Sequence, residues 1–250
     1  MNRLRKPLTE RNYRIMRAAY LKVGRDFVDR VKRFGMQVVT DGDVKTADVQ
    51  PVVDAYKLVY NDSVIRFAKY GREQLKQKKA GDDELVYSRW TRDIETMTSA
   101  TTGKFIRTIQ TTTIDEIQRI VGLMTQEGID EGLSIESIAG LIDSRFAKEW
   151  GDASKWMSRR IAQTETIRAS NYGTRMGVDS LGIEYVQSWL CTQDGRERET
   201  HAQAAIDNDR IPSSQRFVVG GYECEYPGDP NLPPEESINC RCSWTAEPVD

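Results

Sequence analysis

The residues best able to do chemistry crowd into the last sixty positions. The chain's single histidine, His201, lies there with all four of its cysteines, Cys191, Cys224, Cys240 and Cys242. An imidazole among thiols admits three chemistries. Zinc takes four tetrahedral ligands, and Cys₃His is a familiar structural set. His201, Cys224, Cys240 and Cys242 would supply it, with Cys191 as a substitute. The same residues also fit small buried thiols beside a hydrogen-bonded histidine, or a disulfide formed when the protein meets an oxidising medium. Spacing counts against zinc. No Cys-x-x-Cys is present, and Cys240-Arg241-Cys242 laid along a strand would aim its thiols at opposite faces. All three readings stay open on the residues alone.

Other chemistries find less support. One histidine rules out two-histidine metal sites and two-histidine phosphoryl transfer. No Gly-x-Ser-x-Gly elbow accompanies it, and Gly220-Gly221 lacks the Gly-Lys-Ser/Thr of a phosphate loop. A Cys–His nucleophile pair is formally available, without local pattern behind it. Asp82-Asp83-Glu84 and Glu235-Glu236 read as polar loop acids with no second carboxylate at a defined distance. Glu165 and Arg168, three apart, read as an ordinary pair on a helix surface. Asp194-Gly195 reads first as a turn. Arg196, Arg198 and His201 would make a small anion patch, diluted by Glu197 and Glu199.

Composition sets the frame. The chain has 250 residues, 30% of them charged, with no apolar run of the roughly 20 residues a membrane helix needs. The first residues lack a secretory signal, so synthesis in a cytosol that keeps thiols reduced is expected. The net charge of −2 hides an asymmetry: residues 1–35 carry eleven Lys/Arg against three acids, so the rest is strongly acidic. Arg3, Arg5, Lys6, Arg11, Arg14, Arg17, Lys22 and Arg25 are therefore candidates to meet a polyanion such as DNA, or an acidic partner. A merely solvated helix face is the plain alternative.

The pattern predicts a mainly α, α+β fold: long N-terminal helices followed by a compact C-terminal part with a few short strands. A first helix is expected over 9–34, with Thr9 as N-cap and a stripe of Tyr13, Met16, Tyr20, Val23, Phe27, Val31 and Phe34. Gly35 should end it, with a turn at 40–43. A second helix is expected over 49–75, a loop over 76–83 and a third helix over 84–97, broken by the Thr- and Gly-containing 98–103. Thr113 to Glu116 fits a capping box opening a helix that Gly128 ends. A short helix should follow Gly132-Leu133-Ser134 and break at Gly151-Asp152. A long one should run over 154–180 and stop at Gly182. Strands are expected over 183–189, 216–219 and 242–245. The expected division is a basic helical arm over 1–40, a helical region over 41–105 and a third segment over 106–250.

From about Thr113 to Trp244 the order of motifs resembles the phage head morphogenesis family, the Mu F-like minor head proteins of tailed bacteriophages. The pieces are Gly132-Leu133-Ser134-Ile135, Arg160 through Thr166 with Thr164 and Glu165, then Asn171, Gly182 and Trp189. After them come Asp194, Arg196, Arg198 and His201, and finally Asn239-Cys240-Arg241-Cys242. Some members of that family carry a Cys-x-x-Cys before this histidine and a His before the terminal Cys pair. Here Arg198 and His201, and Ser237-Ile238, stand in those regions. The resemblance implies a minor capsid protein made in the host cytoplasm and held in the virion, inside the head near the portal vertex. It implies several copies per particle, the portal protein, the major capsid protein and packaged double-stranded DNA as partners, and no membrane partner. It implies a structural rather than catalytic role, in head assembly or genome delivery. The rival is a toxin-like or nucleic-acid-modifying enzyme using His201 with Glu165 or Asp194.

Overall fold

The computed structural model describes residues 2–34, 48–75 and 83–249. Four long helices come first: α1 (Asn2–Phe34), α2 (Gln50–Gln74), α3 (Asp83–Asp130) and α4 (Ile135–Asp179). Short elements follow: β1 (Tyr185–Leu190), α5 (Glu199–Asp207), β2 (Ile211–Pro212), β3 (Phe217–Val219), β4 (Tyr222–Cys224), α6 (Pro234–Ser237) and β5 (Ser243–Pro248). The fold is α+β and mainly α. None of the described helices is long and apolar enough to cross a membrane.

Several predicted boundaries move. α1 begins at Asn2 and contains Pro7, and Thr9 is no cap: its hydroxyl donates back to the Arg5 carbonyl at 2.9 Å. Thr113 likewise lies inside α3, buried, with its hydroxyl on the Ile109 carbonyl. The predicted capping box is therefore a helix interior, and Glu116 pairs with Arg119 instead. Helix α3 runs through 98–103, and α4 through Gly151. Threonine costs a helix only tenths of a kcal/mol and glycine about 1 kcal/mol. Burial of Trp90 and Ile117, or of Trp150 and Met157, outweighs that. The end of α3 is close to expectation: Gly132, at φ +66°, follows it, and the Ser134 hydroxyl caps α4 through the Ser137 amide. Gly35, the turn at 40–43 and most of the predicted loop at 76–83 lie outside the described residues.

The chain divides into two compact units. One comprises 11–58 and 102–161, the other 1–10, 59–101 and 162–250. The predicted 105/106 boundary falls inside α3.

In the first unit the predicted stripe does what its period requires. Met16, Tyr20, Val23, Phe27 and Val31 are buried with Ile117, Ile120, Ile142, Phe146 and Trp150. The Trp150 indole donates to the Tyr20 carbonyl at 2.8 Å. Phe27 meets Phe146 at 5.0 Å between ring centroids. Gly24 is where this packing admits no side chain, since a Cβ there would lie 2.1 Å from the Trp150 ring.

In the second unit, α2 and α4 approach closely through glycine. A Cβ on Gly173 would meet the Val64 carbonyl at 2.3 Å, and one on Gly177 the Ala68 carbonyl at 2.0 Å. Beyond α4 the chain turns at Gly182, φ +63°, into a three-stranded antiparallel sheet of order β2-β1-β5. Its register sets Trp189 opposite Trp244 and Leu190 opposite Ser243. β3 and β4 form a hairpin turned at Gly220 and Gly221, both at positive φ as a tight hairpin turn requires. The core here gathers Tyr185, Trp189, Phe217, Val219, Tyr226, Leu232 and Trp244.

Two outcomes follow. Gly24→Ala should destabilise by about 1–3 kcal/mol, the usual cost of overpacking, and lower the melting temperature, whereas Gly122→Ala, which meets open space, should not. Burial holds the Tyr20 phenol up to about 12 against its hydrogen bond with Thr113. Its contribution to stability is complete below the ordinary phenol range near pH 10 and lost as pH climbs to about 12. Ultraviolet titration should thus show a late tyrosine whose ionisation coincides with loss of helical circular dichroism.

Candidate metal centre

Three elements of the second unit bring the imidazole and two thiols together. α5 carries His201 in its first turn. The segment between α6 and β5 carries Cys240 and Cys242, and α6 carries Glu236. His201 Nδ1 lies 3.2 Å from Cys242 Sγ and 3.8 Å from Cys240 Sγ. One donor atom from each lies within 4.8 Å of the others, and all three residues are buried. The two thiols do not diverge, because residues 240–242 precede the strand instead of lying in it. Asn239 adopts φ +56°, which asparagine tolerates better than most residues, and this bend turns the segment inward.

Behind the imidazole stands Glu236. His201 Nε2 is 2.9 Å from Glu236 Oε2, which also accepts from the Thr200 hydroxyl at 3.0 Å. A carboxylate on one ring nitrogen fixes the proton there and leaves the other nitrogen's lone pair for a ligand. Here that free side faces the sulfurs. The Cys240 thiol is drawn below its ordinary range, chiefly by a hydrogen bond with Cys242. The Cys242 thiol is raised by the same bond and by burial. Thiolate, imidazole and a supporting carboxylate make a set suited to a borderline-soft divalent metal, and His201, Cys240 and Cys242 are the group that could hold one.

Cys224 does not belong to it. It lies buried on β4, its thiol raised by burial first and then by Asp229. The predicted fourth ligand is thus corrected: the hairpin carries Cys224 into the apolar core. Cys191, offered as the substitute, lies at the end of β1 beside a water-sized recess that it lines with His201 and Cys242.

Buried polar ties hold the centre in place. Asn171, wholly buried on α4, donates to the carbonyls of Pro227 at 2.8 Å and Cys242 at 3.1 Å. Its own backbone carbonyl accepts from the Trp244 indole at 3.1 Å. Arg5 reaches Ser170 Oγ at 2.8 Å, Asn171 Oδ1 at 2.7 Å and the Cys242 carbonyl at 3.4 Å. Thr164 accepts from the Asn239 amide at 3.1 Å. Arg168 holds Glu165 at 2.6 Å and the Gly228 carbonyl at 2.8 Å. Arg198 donates to the Ile238 carbonyl at 2.6 Å. Asp194 is gripped by Arg196 and Arg241, which hold its carboxyl well below the usual range. Trp189 packs edge-on against His201.

Three expectations change here. Arg5 is 4% exposed and faces this centre, so it is no part of an outward basic surface. Glu165 and Arg168 are a buried pair, not a surface one. Glu236, read as a loop acid, is the buried partner of His201. Its sequence signal was weak: an acid four positions before Cys240. Of the other basic candidates, Lys6, Arg11, Arg14, Lys22 and Arg25 are exposed. Arg17 is half-buried and donates to Ser154, and the side chain of Arg3 lies outside the described ones.

Comparison with protein-family models, with curated proteins and with solved structures finds no match to this chain.

Asn171→Ala would leave the Pro227 carbonyl and part of the Arg5 guanidinium unsatisfied, at about 1–3 kcal/mol for each such group, and leave the Cys242 carbonyl only its longer bond from Arg5. A fall in the midpoint of denaturant unfolding, larger than that for Ser144→Ala on the exposed side of α4, is the expected outcome.

Proposed function

We propose that this chain is a minor head protein of a tailed phage that works by contacts and turns over no substrate. In this reading it is made in the host cytoplasm and held in the virion, inside the head near the portal vertex. It stands there in several copies, against portal protein, major capsid protein and packaged double-stranded DNA, and serves head assembly or genome delivery. One observation supports this most. The residues that carry the family resemblance, scattered from Thr164 to Cys242, are spent on tying one C-terminal clasp. A motif used up in internal ties fits a rigid body presented to neighbours.

The metal is zinc in this reading, held by His201, Cys240 and Cys242 and serving as a cross-link between α5 and the C-terminal segment. The enzymatic reading loses its named partners for His201, since Glu165 is held by Arg168, and Asp194 by Arg196 and Arg241. A Cys242–His201–Glu236 line does have the order nucleophile, base, orienting group. Against it, Cys242 is buried with its thiol raised, and reactive cysteines are exposed with the thiol lowered. The adjoining recess has room only for water.

The DNA part of the reading rests on α1. Arg11, Arg14, Lys22 and Arg25 are exposed, and at 3.6 residues per turn they fall on one side of that helix. Such contacts read phosphate and not sequence. With four of them, duplex binding by the full chain should weaken roughly a hundredfold between about 50 and 200 mM salt. Changing all four to Gln should flatten that dependence. Salt-insensitive binding, or none, removes the DNA contact. Mass spectrometry of purified particles and their precursors tests the rest: the chain should be present, and absence from both overturns the proposal.

A further inference from the structure

We infer that Cys191 is the fourth ligand of the zinc proposed for His201, Cys240 and Cys242, which makes the centre a closed Cys₃His site. This rests on the zinc reading above and adds to it the ligand that decides whether the site is structural. Register is the first argument. β1 and β5 are antiparallel with Leu190 opposite Ser243, so one step beyond the strand ends sets Cys191 opposite Cys242. Place is the second. Cys191 lines the same recess as His201 and Cys242, and the Thr192 hydroxyl beside it donates to the Arg241 carbonyl at 3.1 Å. Cys191 is half-buried and outside the strand; its thiol faces the Thr192 carbonyl at 3.9 Å, and ligation requires it to turn inward.

Distances agree with a shared ion. A tetrahedral zinc with bonds of about 2.1 Å to nitrogen and 2.3 Å to sulfur separates its ligands by about 3.6–3.8 Å. The Nδ1–Sγ separations of 3.2 and 3.8 Å lie around that range, and the ring is already aimed correctly by Glu236.

Charge is the third argument. Among the described residues, Arg5 donates to a hydroxyl, a carboxamide oxygen and a backbone carbonyl, all neutral. A buried guanidinium calls for an anion nearby, and the groups that act on it electrostatically are first Cys240 and Cys242. Three thiolates around a divalent ion leave one net negative charge, and the buried Arg5, whose hydrogen bond reaches the Cys242 carbonyl, lies beside it. Cys224 has a different electrostatic neighbourhood, of Asp229, Arg175 and Glu225.

Cobalt(II) reports thiolate count directly, through sulfur-to-metal charge-transfer absorption in the near ultraviolet. The full-length protein, stripped of metal and kept reduced, should bind one equivalent of Co²⁺ with tetrahedral visible bands. Cys191→Ser should lose about a third of the charge-transfer intensity, one of three thiolates, while Cys224→Ser should match the wild type. X-ray absorption on the wild-type zinc protein should count three sulfur neighbours, and needs no variant to fold. Two sulfurs, with Cys191→Ser indistinguishable from wild type, would overturn the Cys191 assignment and leave the zinc reading standing. Failure of the wild type to bind either metal would end both.

Discussion

A backbone carbonyl holds the C-terminal segment to the helices of the second unit. The Cys242 oxygen accepts from the Asn171 carboxamide at 3.1 Å and from the Arg5 guanidinium at 3.4 Å. Both donors are buried, where a hydrogen bond is strong and its loss is costly. That one anchor fixes where β5 begins, and so the Trp189–Trp244 register on β1. It also fixes where the two thiols stand relative to His201. The buried polar residues of α4, from Thr164 to Asn171, are best understood as the receiving face for this segment. A helix that carries Thr164, Glu165, Arg168, Ser170 and Asn171 into the interior must find a partner for each, and they find partners in residues of the clasp, of the helix itself and in Arg5.

The second constraint is electrostatic. Burial outweighs the opposing pull of Cys240, Cys242 and Tyr70 and lowers the Arg5 guanidinium to about 10, so it stays charged near neutral pH and is steadied by an anion nearby. Neutral acceptors satisfy its hydrogen bonds but not its charge. The neighbouring sulfurs do the second job only as thiolates, and metal binding is the ordinary way to hold buried sulfur in that form. Arg5 touches the candidate metal centre directly, although 237 positions separate it from Cys242.

Much of the fold was legible because it follows period and punctuation. The stripe on α1, the strand patterns around Trp189 and Phe217, and the glycines at 132 and 182 each act locally, and each appears near its expected place. What misled was also local. Thr113–Glu116 has the letters of a cap, and 98–103 and Gly151 have the letters of a break, yet packing on either side carries the helices through. In the centre, His201, Cys240 and Cys242 were visible as residue types. Their convergence was not, because it depends on the left-handed bend at Asn239 and on Asn171 holding the next turn of chain. Arg5 and Glu236 were misread for one reason: a charged residue in sequence looks solvated until its buried counter-group is known.

The central claim is that a metal completes the clasp, and a calorimetric scan of the full-length chain with and without a strong chelator tests it most directly, with metal content measured on the same samples. The account predicts one equivalent of zinc per chain in the untreated protein, and a melting transition that moves down when the ion is removed and returns when zinc is restored. A transition that ignores the chelator, in protein carrying no stoichiometric metal, would contradict it.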